Sequence, residues 1–345
     1  MNTIRKLATI RRIDEIKEIP NASSIECAVV GGWTVVVKKG EYQVGALVVM
    51  CEIDSWIPTE LAPFLTKSVE PREYNGIKGE RLRTVKLRGQ LSQGLLLPLE
   101  PTCANIESEL FEGLDVSVPL NIQKWEAPIP AQLAGQVRGN FPTLVPKTDQ
   151  ERVQNLVKEV AHWQSEGLQF ELTEKLDGSS CTMYLDPDGE FHVCSRNLDL
   201  KRDENNSFWK VAIAYDVEAK LRANNGVGVA IQGELIGEGI QGNPYNIKGQ
   251  DFYVYDMYDA IGGEYFPAEA RRKSAETLGL KHVPVLCDDK DLGTGDVAEI
   301  LLWAEDKSRL NSKTEREGIV FKCTKDPGLS FKAISNKFLL KGGEK

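Results

Sequence analysis

The chain has 345 residues, 41% of them hydrophobic and 27% charged, with a formal net charge of −9. That length predicts about two domains with real cores, and no apolar run approaches the roughly 18 residues of a membrane span. The acidic balance speaks against a protein that coats nucleic acid by bulk charge, but it leaves local basic patches open.

The opening segment, "MNTIRKLATIRRIDEIKEIP", carries charge throughout and lacks the apolar centre of a signal peptide. A soluble, intracellular and cytoplasmic protein is expected. Seven cysteines are scattered without a C-x-x-C pair, and the three histidines stand far apart. This pattern argues against a structural zinc site and against a disulfide framework. The cysteines read as small buried hydrophobes.

The first 120 residues read as β. "ECAVVGGWTVVVKKGEYQVGALVVMCEIDSWIP" holds short Val-rich runs split by Gly31-Gly32, by "KKGE" and by Gly45. Such spacing predicts a small closed barrel of the OB type, with closing strands from "RLRTVKLRGQLSQGLLLPLE". Within it, Lys78, Arg81, Arg83, Lys86 and Arg88 form a basic run. On strands Arg81 and Arg83 would share one face, as OB-folds use to track phosphates. The plainer alternative is an edge strand protected by charge.

Four prolines fall in "KWEAPIPAQLAGQVRGNFPTLVP", and the domain junction is expected around residues 121–146. The division is drawn at residues 1–122 and 123–345. Beyond it, Val153, Leu156, Val157, Val160 and Ala161 recur at helical spacing. A helix is predicted there, capped by Thr148 or Asp149 and ended by Gly167. Two extended runs meet at the turn "DPDG", Asp186 to Gly189. A helix follows around Ser207–Asn224, then strands "VGVAIQGELIG", "DFYVYDMYD" and "GIVFKCT", with helices over 268–279 and 295–309. The fold class expected is α+β, an OB-like barrel followed by a domain built on antiparallel sheet. "GEGIQG" matches a dinucleotide fingerprint, but Pro244 follows where a helix would have to start.

The stretch "ELTEKLDGSS" ends an extended run at Lys175, with Asp177 and Gly178 next. Alone it reads equally well as a hairpin turn with a solvated lysine. Further on come Arg196 in "SRN", Glu234 in "GELIG", Tyr255 in "FYVYD", Glu317 and Lys322 in "EGIVFK", and Lys332 in "SFKAIS". Each is a polar or aromatic side chain tied to an apolar strand. Core packing for Tyr255 and a solvated surface for Lys322 and Lys332 are the bland alternatives.

In this order the motifs resemble those of covalent nucleotidyltransferases, the polynucleotide ligases and mRNA capping enzymes. They are similar in particular to ATP-dependent RNA ligases in which an OB-fold module precedes the catalytic domain. Two departures bear on the choice within that superfamily. Ser180 stands where DNA ligases and capping enzymes usually carry arginine, and only Ala333 to Lys345 follow the last motif, too few for a further barrel. The last motif also offers Lys332 without a clear second lysine.

The resemblance implies a function and a set of roles. Lys175 would attack the α-phosphorus of ATP and form lysyl-AMP. AMP would pass to an RNA 5′-phosphate, and a 3′-OH would then seal the strand, in RNA repair. Mg²⁺ or Mn²⁺ is implied, with Glu317 holding its water shell. Glu174, Asp177 and Gly178 would line the nucleotide, and Tyr255 would stack on adenine. Arg196 and Glu234 would hold the ribose, while Lys322 and Lys332 neutralise the α-phosphate. Lys147 and Arg152 would meet the outgoing phosphates, unless they are simple helix-start charge. A monomer acting on nicked duplex or broken RNA ends is the expectation. A free lysine amine, with a pKa near 10.4, is protonated at neutral pH, so attack requires a setting that favours its neutral form. The alternatives are a DNA ligase, a capping-type guanylyltransferase, or a non-catalytic RNA-binding protein with a decayed transferase domain.

Overall fold

The computed structural model describes residues 5–67, 70–126 and 135–341. The chain divides into two compact units, Thr3–Pro128 and Ile129–Lys345. The junction expected around residues 121–146 therefore lies partly outside the described residues. Strand Gln123–Lys124, just past the residue 122 expected to end the first domain, pairs with Ser55–Pro58 of the first unit.

In the first unit, strand Leu47–Glu52 runs between Ala8–Arg12 and Gly94–Pro98, antiparallel to both. A meander of Glu15–Glu18, Ile25–Val30 and Trp33–Lys38 adjoins them in sequence. Val30 pairs with Trp33, so Gly31-Gly32 is a two-residue hairpin loop, with Gly31 at φ 57°. A four-stranded sheet in the order Gln123–Lys124, Ser55–Pro58, Ile77–Arg81, Arg72–Tyr74 completes the unit, together with the hairpin Val85–Leu87 and Gln90–Ser92. Alternating side chains Ile10, Val49, Cys51, Ile57 and Leu97 fill its core.

The second unit is built on two sheets. One has five strands in the order Glu151–Arg152, Ser330–Ile334, Gly318–Cys323, Gln169–Lys175, Val285–Asp291. The other has eight, with Ser179–Leu185, Val229–Gly237 and Gln250–Asp259 side by side at its centre. Each sheet covers one face with helices. Val160 of helix Val157–Ser165 and Ile300 of helix Val297–Trp303 pack on Phe170, Phe321 and Phe331, the last two stacked at 4.5 Å. Trp209, Leu221 and Ala275 of helices Ser207–Ala214, Val217–Ala223 and Ala268–Thr277 pack on Met183, Ile231 and Phe252. The opposite faces carry Lys175 and other polar residues, together with a smaller apolar cluster of Val145, Tyr184, Cys194 and Ala230.

Three helices are shorter than the periodicity suggests. Glu151–Arg152 is drawn into the five-stranded sheet by parallel pairing with Phe331 and Lys332, so the helix expected from Thr148 starts only at Val157. Asp216, at φ 51°, splits the Ser207–Asn224 helix in two. The third helix ends at Trp303, and the chain beyond it folds back through Ser308 to Glu174. Sequence periodicity cannot see the first and third breaks, because the pairing and contacts behind them lie far along the chain.

Arg81 belongs to the fold of the first unit. Its guanidinium bonds Asp54 at 2.7 Å, lies 3.8 Å over the Trp125 ring, and its side chain is 5% exposed. Removing one member of a buried pair strands the other charge. Arg81→Ala should therefore lower unfolding stability by about 3 kcal/mol, whereas Lys86→Ala on the exposed hairpin should change it by less than about 0.5 kcal/mol. Urea unfolding of both variants checks the contrast.

Candidate active site

Strand alternation sorts the residues of the Lys175 strand. Phe170 and Leu172 enter the core beneath the helices, so Glu171, Thr173 and Lys175 turn to the uncovered face. Lys175 pairs with Gly318, Thr173 with Val320 and Glu171 with Lys322. On the next strands Lys332 lies beside Val320, and Arg152 beside Lys332. One face thus gathers Lys175, Lys322, Lys332 and Arg152. Glu174 points the other way. Its buried carboxylate accepts the Arg309 N–H at 2.8 Å, and burial raises its pKa.

Lys175 Nζ lies 2.6 Å from Glu317 Oε1, with the lysine side chain 24% exposed and the glutamate 4%. The strand ends here, and the chain does not form a hairpin. Lys175 closes a strand of one sheet, and Ser179 opens a strand of the other. Residues 176–178 cross between them. Gly178 is needed at this crossing, because an added Cβ would come 2.4 Å from the Leu235 carbonyl oxygen.

Glu234 lies in the second sheet, opposite Ser180. Burial raises its pKa to about 8; Lys175 and Arg196 pull it down, while Glu317 and Asp177 push it up. Five of the residues singled out in the sequence therefore share one electrostatic neighbourhood. Arg196 bonds Asp149 at 2.5 Å, and Lys147 bonds Asn197 at 2.9 Å.

A bulge shapes the opposite wall. Gln232 pairs with Asp256 and Gly233 with Val254, leaving Tyr255 as the extra residue. Two adjacent side chains can then face the site. The Tyr255 hydroxyl bonds Ser180 at 2.8 Å and Thr148 at 2.9 Å. Asp256 holds Lys322 at 2.5 Å, while Lys322 also donates to the Tyr255 carbonyl at 2.8 Å. Burial lowers the Lys322 pKa to about 8, against the pull of Asp256.

Behind Lys322 lies a buried network that the sequence did not announce. Arg271 and Glu171, each 1% exposed, form an ion pair. Arg271 Nε donates to His282 Nε2 at 3.1 Å, and His282 Nδ1 lies 2.7 Å from the Val283 carbonyl. A ring that accepts at Nε2 and donates at Nδ1 is neutral. Thr148, Asp256 and Glu171 had only weak sequence signals, a hydroxyl in a loop and acids in Val- or Tyr-rich strands. The basic run of the first unit divides in two: Lys78, Arg83, Lys86 and Arg88 are exposed, while Arg81 is withdrawn beneath Trp125.

Fold and site together define a nucleotidyltransferase with an OB-fold unit ahead of it. Residues 7–99 match an OB-fold domain model, and residues 168–337 match a model described as RNA ligase. Comparison with curated proteins gave no match. Naegleria gruberi RNA ligase, in an apo mutant and in a mutant with AMP and Mn, is 44% identical, with a TM-score of 0.88 over 97% of this chain and 98% of that one. A mutant of the same ligase with ATP and Mn gives a TM-score of 0.87 at the same identity and coverage. The chain belongs to the RNA ligase family.

His282 supplies a pH test of the network. Burial and the adjacent Arg271 lower its pKa from 6.5 to about 3. Below about pH 6.5 the unfolded chain takes up a proton that the folded chain refuses, so folding stability falls with pH. From pH 7 to pH 5 this one group should cost about 2 kcal/mol. Chemical denaturation at both pH values should show a smaller pH-dependent loss in His282→Gln than in the parent, by about that amount.

Proposed function

We propose that this ATP-dependent RNA ligase works through a covalent adenylate on Lys175. The observation that carries the reading is the Lys175–Glu317 contact at 2.6 Å, at a crossing between two sheets, within reach of the charges of Glu234, Asp177 and Arg196. A lysine held against a carboxylate favours its protonated form. Attack on phosphorus needs the neutral amine.

Glu317, 3% exposed and 2.6 Å from the amine, offers carboxylate oxygen to the water shell of a hard divalent cation such as Mg²⁺ or Mn²⁺. Asp177 and Glu234 add negative charge to the same neighbourhood, which favours a cation beside Glu317. A cation bound there supplies positive charge that offsets the carboxylates and favours the neutral amine. The Naegleria ligase structures contain Mn with ATP or AMP, and the same cofactors are proposed here.

Lys175 Nζ attacks the α-phosphorus of ATP. A nitrogen–phosphorus bond forms, and the bond to pyrophosphate breaks. Tyr255, its hydroxyl fixed by Ser180 and Thr148, stacks on the base. Arg196 and Glu234 hold the ribose, Lys332 and Lys322 offset charge on the α-phosphate, and Lys147 receives the leaving phosphates; Arg152, 1% exposed, can add only its charge from below the surface. An RNA 5′-phosphate then displaces the lysine and takes AMP, and a 3′-OH displaces AMP to join the ends. Such chemistry rests on positioning and charge neutralisation. The OB-fold unit guides RNA through Lys78, Arg83, Lys86 and Arg88, which lie on its surface. We read the protein as a monomer that repairs broken RNA or nicked duplex in the cytoplasm. Seven cysteines standing as free thiols agree with a reducing compartment.

Lys175→Ala should abolish label transfer from α-labelled ATP and all strand sealing, and mass spectrometry should locate AMP on Lys175 of the parent. An adduct on another residue would refute the assignment, and labelling by GTP instead of ATP would redirect it to guanylyl transfer. Neutralising Arg83, Lys86 and Arg88 together should weaken sealing about tenfold or more and leave self-adenylation intact; equal losses in both would make the run structural.

A further inference from the structure

The crossing after Lys175 raises a structural question. A hairpin turn fixes its amides through the ladder of its own two strands. Here the strands before and after residues 176–178 belong to different sheets, so no such ladder holds the turn. Its backbone groups need partners from elsewhere.

Two such partners come from one loop, residues 238–249, which joins the Glu234 strand to the Tyr255 strand. The Asp177 N–H donates to the Tyr245 hydroxyl at 2.5 Å. Gln241 Nε2 donates to the Gly178 carbonyl at 3.3 Å. The Tyr245 ring is 5% exposed and packs with Leu176, Ile236 and Val283. The loop is itself pinned. Asn243 exchanges two bonds with the backbone of Ile247, at 2.9 and 3.1 Å, and Asn311 donates to the Pro244 carbonyl at 2.9 Å. Gln241, Asn243 and Asn246 all hold left-handed backbone, with φ between 46° and 55°. A loop so constrained presents the hydroxyl at a fixed point.

We propose that Tyr245 is a positioning residue for the lysine nucleophile. Its hydroxyl anchors the amide two residues past Lys175, and so sets where the strand end presents the amine to an α-phosphate. Tyr245 does not touch the reacting atoms; it acts through the backbone of the crossing. The inference rests on Lys175 being the nucleophile. It predicts an effect confined to the steps in which that lysine forms or breaks its bond to AMP.

Tyr245→Phe removes one oxygen and keeps the packed ring. In single-turnover assays, self-adenylation should slow about tenfold, while the ATP concentration giving half the maximal rate should move less than about threefold. Sealing of an RNA strand supplied already adenylated bypasses the lysine, and it should stay within about twofold of the parent. Hydrogen exchange at the Asp177 amide should accelerate in the variant. Gln241→Leu, which cuts the second tie, should slow the same step selectively. Unchanged adenylation in Tyr245→Phe, with the parent forming its adduct on Lys175, overturns this inference alone. An equal loss in sealing of pre-adenylated RNA also overturns it, by making Tyr245 a general support. A parent that forms no adduct on Lys175 overturns the underlying reading as well.

Discussion

The pairing of Lys175 with Gly318 is the constraint from which the site follows. It fixes the register of the two strands, so that Phe170, Leu172, Ile319 and Phe321 enter one core together. Side chains alternate with a period of two, and a slip of one residue would exchange Lys175 for Glu174 on the uncovered face. The burial of four large apolar side chains therefore holds the lysine in phase. Gly318 serves the same end, because a Cβ there would come 2.2 Å from the Ala333 carbonyl oxygen. The strand that carries Glu317 to the amine can lie this close to its neighbour only with glycine at that point.

Charge in the site is balanced in layers. At the rim Lys175 faces Glu317 with partial access to water, and Arg196 faces Asp149 in a more exposed pair. Deeper in, Lys322 is held by Asp256, and Arg271 by Glu171, with almost no access. Buried pairs of this kind give little net stability, but breaking one is costly. The deep layer thus acts as a rigid floor. Burial moves Glu234 up and Lys322 down, each to about 8. Both shifts lower the cost of holding a charged group away from water, and both leave groups whose charge responds to a polyanion beside them.

Much of this was legible in the sequence, and the missing parts share one cause. Short Val-rich runs and glycine turns gave the barrel of the first unit. Alternation into Lys175 marked a strand end in the second unit, and the order of the acidic, aromatic and basic residues after it carried the resemblance to RNA ligases. Period and order are local properties, and a chain displays them directly. The bulge at Tyr255 is not local, because it depends on how Gln232 and Gly233 align with a strand twenty residues away. Arg81 sits in a basic run that reads as surface, yet Asp54 and Trp125 lie far enough along the chain that only the fold reveals their claim on it. The parallel pairing of Glu151–Arg152 with Ser330–Ile334 joins residues 180 apart, and it overrode a fair helical pattern. Tyr245 lies three residues past the "GEGIQG" stretch set aside as a mistaken dinucleotide fingerprint, and the glycines of that stretch, with Asn243 and Asn246 after it, serve turns instead.

The crossing between sheets also gives a physical reason for the place of the lysine proposed as nucleophile. A lysine inside a single sheet meets side chains only from that sheet's face. At residues 176–178 the chain leaves the five-stranded sheet and enters the eight-stranded one. The amine is therefore presented to groups from both: Glu317 from its own sheet, and Glu234 with Arg196 from the other. Opposed walls can offset charge on both sides of a phosphate, which one flat face cannot do. The same geometry leaves the turn without a ladder, so precision at the amine must come from outside it. Loop 238–249, held by its own hydrogen bonds and by Asn311, supplies that precision. The exposure of the amine to two walls and the dependence of the turn on loop 238–249 are two consequences of one change of sheet.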